Sequence, residues 1–175
     1  MENTDKIISF KGKLTIDKIN NLKKGTTAIR TELKDLDDEF LSHDRQVKML
    51  NQLFIDGECD NSKLLKREIE KKINSYKTQD ITKKIYNELL LISLPDTIEK
   101  LVGSKLKCCY CNEKVYLLYK NVRDPKQWTL DRIDNHLCHS NENTLIACLQ
   151  CNLQRRTRDM EKFRFTKQLK IKKER

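Results

Sequence analysis

The sequence predicts an α+β protein, with a zinc-stapled module in its C-terminal half and a mainly α-helical N-terminal extension. Three observations carry that reading. Two Cys-x-x-Cys pairs, Cys108/Cys111 and Cys148/Cys151, bracket a long insert. Apolar residues before position 104 recur at helical spacing, whereas those of 128–133 alternate as in a strand. Glycine and proline are scarce, 4 and 2 of 175 residues, which favours helices over a sandwich with many turns. Hydrophobic residues make up 37% and charged residues 35%, so the core is modest.

Charge and cysteine usage narrow the functional classes. The chain holds 36 basic and 26 acidic residues, a net charge of +10. Such an excess suits a polyanionic partner, nucleic acid by default. The seven cysteines are an odd number, four of them in the two pairs, and the opening MENTDKIISFKGK is polar. A disulfide framework is therefore disfavoured. A metal site in a reducing intracellular compartment, cytoplasm or nucleus, is favoured. No run approaches the roughly 18 apolar residues of a membrane span, so no membrane partner is expected.

Three regions follow in order: 1–103, 104–165 and a basic tail, 166–175. Residues 1–25 are weakly patterned and read as a partly ordered arm. From 26 to 54, Ile29, Leu33, Leu36, Phe40, His43, Val47, Leu50 and Phe54 form a heptad seam that Thr26 or Thr27 caps and Gly57 ends. The seam fits a helix packed on its own domain, or a short coiled coil over 26–56 that makes a homodimer. Residues 56–61 read as a turn. A second helix begins at Ser62 with Leu65, Ile69, Ile73 and Tyr76 on one face. Asp80 caps a third over 81–92, striped by Ile81, Ile85, Leu89 and Ile92. Ser93, Pro95 and Asp96 break the chain and start a short helix that stops at Gly103. Cys59 reads as a plain thiol.

In the C-terminal half, two pairs of thiolates can satisfy one tetrahedral zinc ion. The stretch between them exceeds a typical zinc-ribbon gap, so folded structure is expected there. The apolar 115–119 is expected to be buried and 121–127 to be a turn. Strands are expected over 128–133 and 144–147, joined by the polar loop 134–143. A helix follows from Asn152. On it Arg155, Arg158 and Lys162 share a face that Arg156 can join. These four residues are the expected contacts to a phosphate backbone, within a strongly basic C-terminal stretch.

The residues of this half resemble the HNH nuclease family, the ββα-metal fold, in its four-cysteine zinc form. The matching residues are Cys108 and Cys111, the run Leu130-Asp131-Arg132-Ile133-Asp134-Asn135, Asn143, and Cys148 through Asn152. They cover about 105–165 and are closest to the LDRIDN type of bacteriophages and large DNA viruses. The resemblance implies a structural zinc on the four cysteines and a catalytic divalent ion, usually magnesium, held by Asp131 and Asn152. It also implies that Asn143 braces the loop and orients the general base through a backbone hydrogen bond, as one of the catalytic residues. It departs at the general base: where active members carry histidine, this chain carries Arg132, which stays protonated and cannot accept a proton. His136 and His139, in the following loop, are the remaining candidates. The expected function is metal-dependent cleavage of double-stranded DNA. The alternatives are a zinc-stapled binding module that has lost the reaction, and an interaction protein working through its N-terminal helices.

Overall fold

The computed structural model describes residues 28–57 and 61–169. The arm over 1–25, the caps at Thr26 and Thr27, Cys59 and the basic positions from Lys170 onward lie outside the described residues. The architecture is α+β: five α-helices and one two-stranded antiparallel sheet among the described residues.

The first helix, α1, spans His43–Asp56 and ends where Gly57 turns left-handed at φ 68°, a conformation glycine adopts without steric cost. The continuous helix expected from residue 26 is corrected here. Thr31–Leu33 form only a short 3-10 turn, and the heptad seam is not a single helical face. Helix α1 buries His43, Gln46, Met49, Leu50 and Leu53, while Phe54 stays 49% exposed. Gln46 explains the shift. Its side-chain oxygen accepts from the Leu117 and Leu118 N–H groups at 2.8 and 2.9 Å, and its amide donates to the Leu41 and Leu118 carbonyls. A polar residue so satisfied can lie on the core face, and the helix rotates to put it there.

Helix α2 spans Ser62–Thr82, and the separate helix expected over 81–92 is also corrected. Asp80 does not cap a new helix. It lies four residues beyond Tyr76, on the buried side of α2. Of the expected stripe, Ile81 and Leu89 are exposed and Ile92 is buried, so a helix there would have had little to bury. Helix α3, Leu94–Gly103, follows the expected start. Ser93 and Asp96 cap it reciprocally, each side chain accepting from the other's backbone N–H.

Strands β1 (Trp128–Arg132) and β2 (Thr144–Cys148) pair from Trp128↔Cys148 to Arg132↔Thr144. Two helices follow, α4 (Leu149–Arg155) and α5 (Met160–Gln168). One helix running on from Asn152 was expected; it breaks at Arg156, where φ is 54°. Asp159 then restarts the helix by accepting from the Lys162 N–H at 2.9 Å. As expected, Val115, Leu117 and Leu118 are buried. One hydrophobic cluster runs through both halves, joining Leu50, Ile69 and Leu101 to Tyr110, Trp128 and Phe163. No described helix is long and apolar enough to cross a membrane.

Candidate metal centre and adjoining cleft

The two cysteine pairs converge because β2 carries one of them to the other. The Cys109 N–H donates to the Ile146 carbonyl at 2.9 Å, which ties the first pair's turn to β2. Cys148 ends β2, and its sulfur accepts from the Cys151 N–H at 3.3 Å as α4 begins. The sulfurs of Cys108, Cys111, Cys148 and Cys151 all lie within 4.8 Å of one another. Thiolates on a tetrahedral zinc, about 2.3 Å from the metal, stand about 3.8 Å apart. Four sulfurs at that scale, with no oxygen donor among them, fit zinc. Cys108, rather than its neighbour Cys109, completes the set. Its thiol is held well below the ordinary range because Cys109, Cys148 and Cys151 can all hydrogen-bond to its sulfur. Cys138 is buried but stands outside the cluster.

Asp131 sits mid-strand, 5% exposed. Arg155 grips it from α4, Nε to Oδ2 at 2.6 Å and Nη2 to Oδ1 at 3.1 Å, and the Tyr110 hydroxyl donates to Oδ2 at 2.5 Å. Arg155 also donates to the Arg132 and Arg158 carbonyls and is only 1% exposed. The sequence pointed to Arg155 as a phosphate contact; the structure gives it to Asp131 instead. Arg156, Arg158 and Lys162 are exposed, but the break between α4 and α5 separates them from the single helical face expected.

Asn143 braces the loop from within. Its side-chain oxygen accepts from the Asp134 N–H at 2.8 Å, and its amide donates to the Asp134 and Cys138 carbonyls.

No protein-family model matches the sequence. No curated protein and no solved structure matches it either.

Beside β1 and α4 opens a cleft of about 350 Å³ whose lining includes Arg132, Asn135, His139, Asn152 and Arg156, with Lys83 at the end of α2. Asn152 donates to Thr129 Oγ1 at 3.1 Å, and among the described residues its side-chain oxygen accepts nothing. That oxygen suits a hard divalent cation. The Asp131 carboxylate, expected as its companion ligand, also lines the cleft and is held there by Arg155 and Tyr110. Arg132 donates to the Leu137 carbonyl at 3.0 Å and lies 3.5 Å from the Asp80 carboxylate. His136 is exposed, whereas His139 is buried against α2. Sequence reasoning missed Asp80 and Tyr76 as parts of this site. The available signal was a carboxylate on the apolar stripe of a helix, where an ion needs a partner.

Proposed function

We propose that the chain is an HNH-type module that binds double-stranded DNA and hydrolyses phosphodiester bonds. The observation that supports this most is the cleft beside β1 and α4. It gathers guanidinium groups, an uncommitted amide oxygen and an imidazole beside β1 and α4, and α4 carries Cys151 of the cysteine cluster. Zinc on the cysteines would be structural, fixing β2 and the start of α4. A divalent ion, when bound, would supply charge stabilisation at the phosphate, with Asn152 as the available ligand. Arg156 carries charge toward a phosphate in the cleft, which Arg132 lines while held by Asp80 and the Leu137 carbonyl, and Arg158 and Lys162 extend the charge at the surface. Such contacts position a duplex without reading its sequence.

A second reading, a DNA-binding module without cleavage, is favoured by one observation: Arg155 holds Asp131 in a two-point pair. Incubating the protein with supercoiled plasmid and magnesium or manganese separates the two. Metal-dependent nicking by wild type supports the enzyme. Tight, salt-sensitive duplex binding without nicking supports the module. Absence of both would end either reading.

A further inference from the structure

Arg132 leaves the proposed hydrolysis without a proton acceptor at the expected position. Helix α2 buries Asp80 completely. A buried carboxylate is stable only if its oxygens are satisfied, and one residue satisfies both. The His139 backbone N–H donates to Oδ2 at 2.8 Å, and His139 Nδ1 lies 2.7 Å from Oδ1. The imidazole stacks on Tyr76, ring centroids 4.6 Å apart. The loop is pinned from the same side, because the Ile92 N–H donates to the His139 carbonyl at 2.8 Å. When Asp80 accepts from Nδ1, Nδ1 carries the hydrogen and Nε2 carries the lone pair. No described group bonds Nε2, and the ring lines the cleft that holds Asn152 and Arg132.

We propose that His139 is the general base of this hydrolysis and that Asp80, from the N-terminal half, is its positioning residue. The inference rests on the nuclease reading above. A water oxygen attacks the phosphorus of the diester while Nε2 takes one of the water's protons. The bond from phosphorus to the leaving ester oxygen breaks, its electron pair passing to that oxygen, which takes a proton from solvent. The products are a hydroxyl and a phosphate monoester. The imidazolium then returns its proton to solvent, and Asp80 stabilises the cation while it exists.

The surroundings favour the accepting form. Burial pulls the His139 pKa below its ordinary value, and the charges of Arg132 on β1 and Lys83 after α2 add to that pull. Asp80 opposes it, and Tyr76 stacks on the ring without ionising, since burial raises its phenol pKa. A neutral imidazole at neutral pH is what a base requires.

The test uses the full chain, supercoiled plasmid and either magnesium or manganese. His139→Ala should slow single-turnover nicking by about 10²–10⁴-fold, with part of the loss restored by added imidazole. Asp80→Asn should slow it as well. Its amide can offer one oxygen where the native residue offers two, so either the backbone N–H or the Nδ1 hydrogen loses its acceptor. The wild-type rate should rise with pH through one ionisation that is missing from His139→Ala, whereas a purely structural pair would leave that profile in place. His139→Gln, which keeps a polar side chain of similar reach, stands in if the alanine variant does not fold.

Wild-type nicking that survives His139→Ala or His139→Gln unchanged overturns the inference and leaves the nuclease reading intact. So does a pH dependence of the wild-type rate that His139→Ala retains in full. A wild type that never nicks overturns both.

Discussion

Asp131 and Arg155 neutralise one another inside the module, and their energetics are those of a buried ion pair. Removing one partner strands the other charge out of water, at a cost of about 3–5 kcal/mol. Arg155→Leu should therefore lower the urea-unfolding free energy by about that much. It also removes the donors to the Arg132 and Arg158 carbonyls. The double variant Asp131→Asn, Arg155→Leu should recover much of the loss, because no unpaired ion remains. A single variant as stable as wild type would show that the pair is solvated in solution. At this scale the sequence was legible for the four cysteines, whose paired spacing leaves few other uses. It was not legible for Asp131, Arg155 and Asp80. A charged side chain advertises its charge but not its partner, and each of these three finds its partner across the fold.

At the scale of elements, the strands and the start of α3 could be read because alternation and a capping box are local. Helix α1 was misread because a heptad pattern cannot report that Gln46 will be satisfied by the backbone at Leu117 and Leu118. The end of α2 was misread for the same kind of reason: Asp80 looks like a cap until His139 is placed beside it. A further long-range tie on α2 gives a pH prediction. Lys72 donates to Gln127 Oε1 at 3.1 Å and to the Trp128 carbonyl, with its ammonium over the Tyr119 and Trp128 rings. Burial is the main reason its pKa falls from 10.5 to about 7, with the charge of Arg30 adding to it. The unfolded chain thus binds more protons at this residue between about pH 7 and 10.5, so its contribution to stability rises with pH there. The slope should reach at most about 1.4 kcal/mol per pH unit. It should be smaller in practice, because both rings favour the cation. Lys72→Met should remove this component, which is read as the difference between wild type and variant in urea unfolding across that range. Parallel pH profiles for the two proteins would show that the ammonium keeps its water.

At the scale of the whole molecule, the sequence divides into two regions, while the cluster running from Leu50 to Phe163 joins them. The sequence sets the two halves apart only by their periodicity. The joining was not legible, because apolar stripes do not say what they face. This continuity decides how far the loss of the proposed zinc should spread. Zinc binding and local folding share one free energy in small metal modules, and here the local fold is continuous with the helical core. Trp128 is the chain's only tryptophan. It is fully buried and pairs directly with Cys148 across the sheet, so its fluorescence reports on the metal centre. Stripping zinc with a strong chelator should shift that emission to the red as the indole meets water. Helical ellipticity should fall in the same transition, since Met49, Ile69 and Leu101 lose part of what they pack against. Cys148→Ser should reproduce both changes. Cys138→Ser, buried but outside the cluster, should leave the metal content unchanged. Folded protein holding less than about half an equivalent of zinc would remove the basis for this coupling. Complete zinc loss with the Trp128 emission unmoved would show that the sheet holds Cys148 in place without the metal.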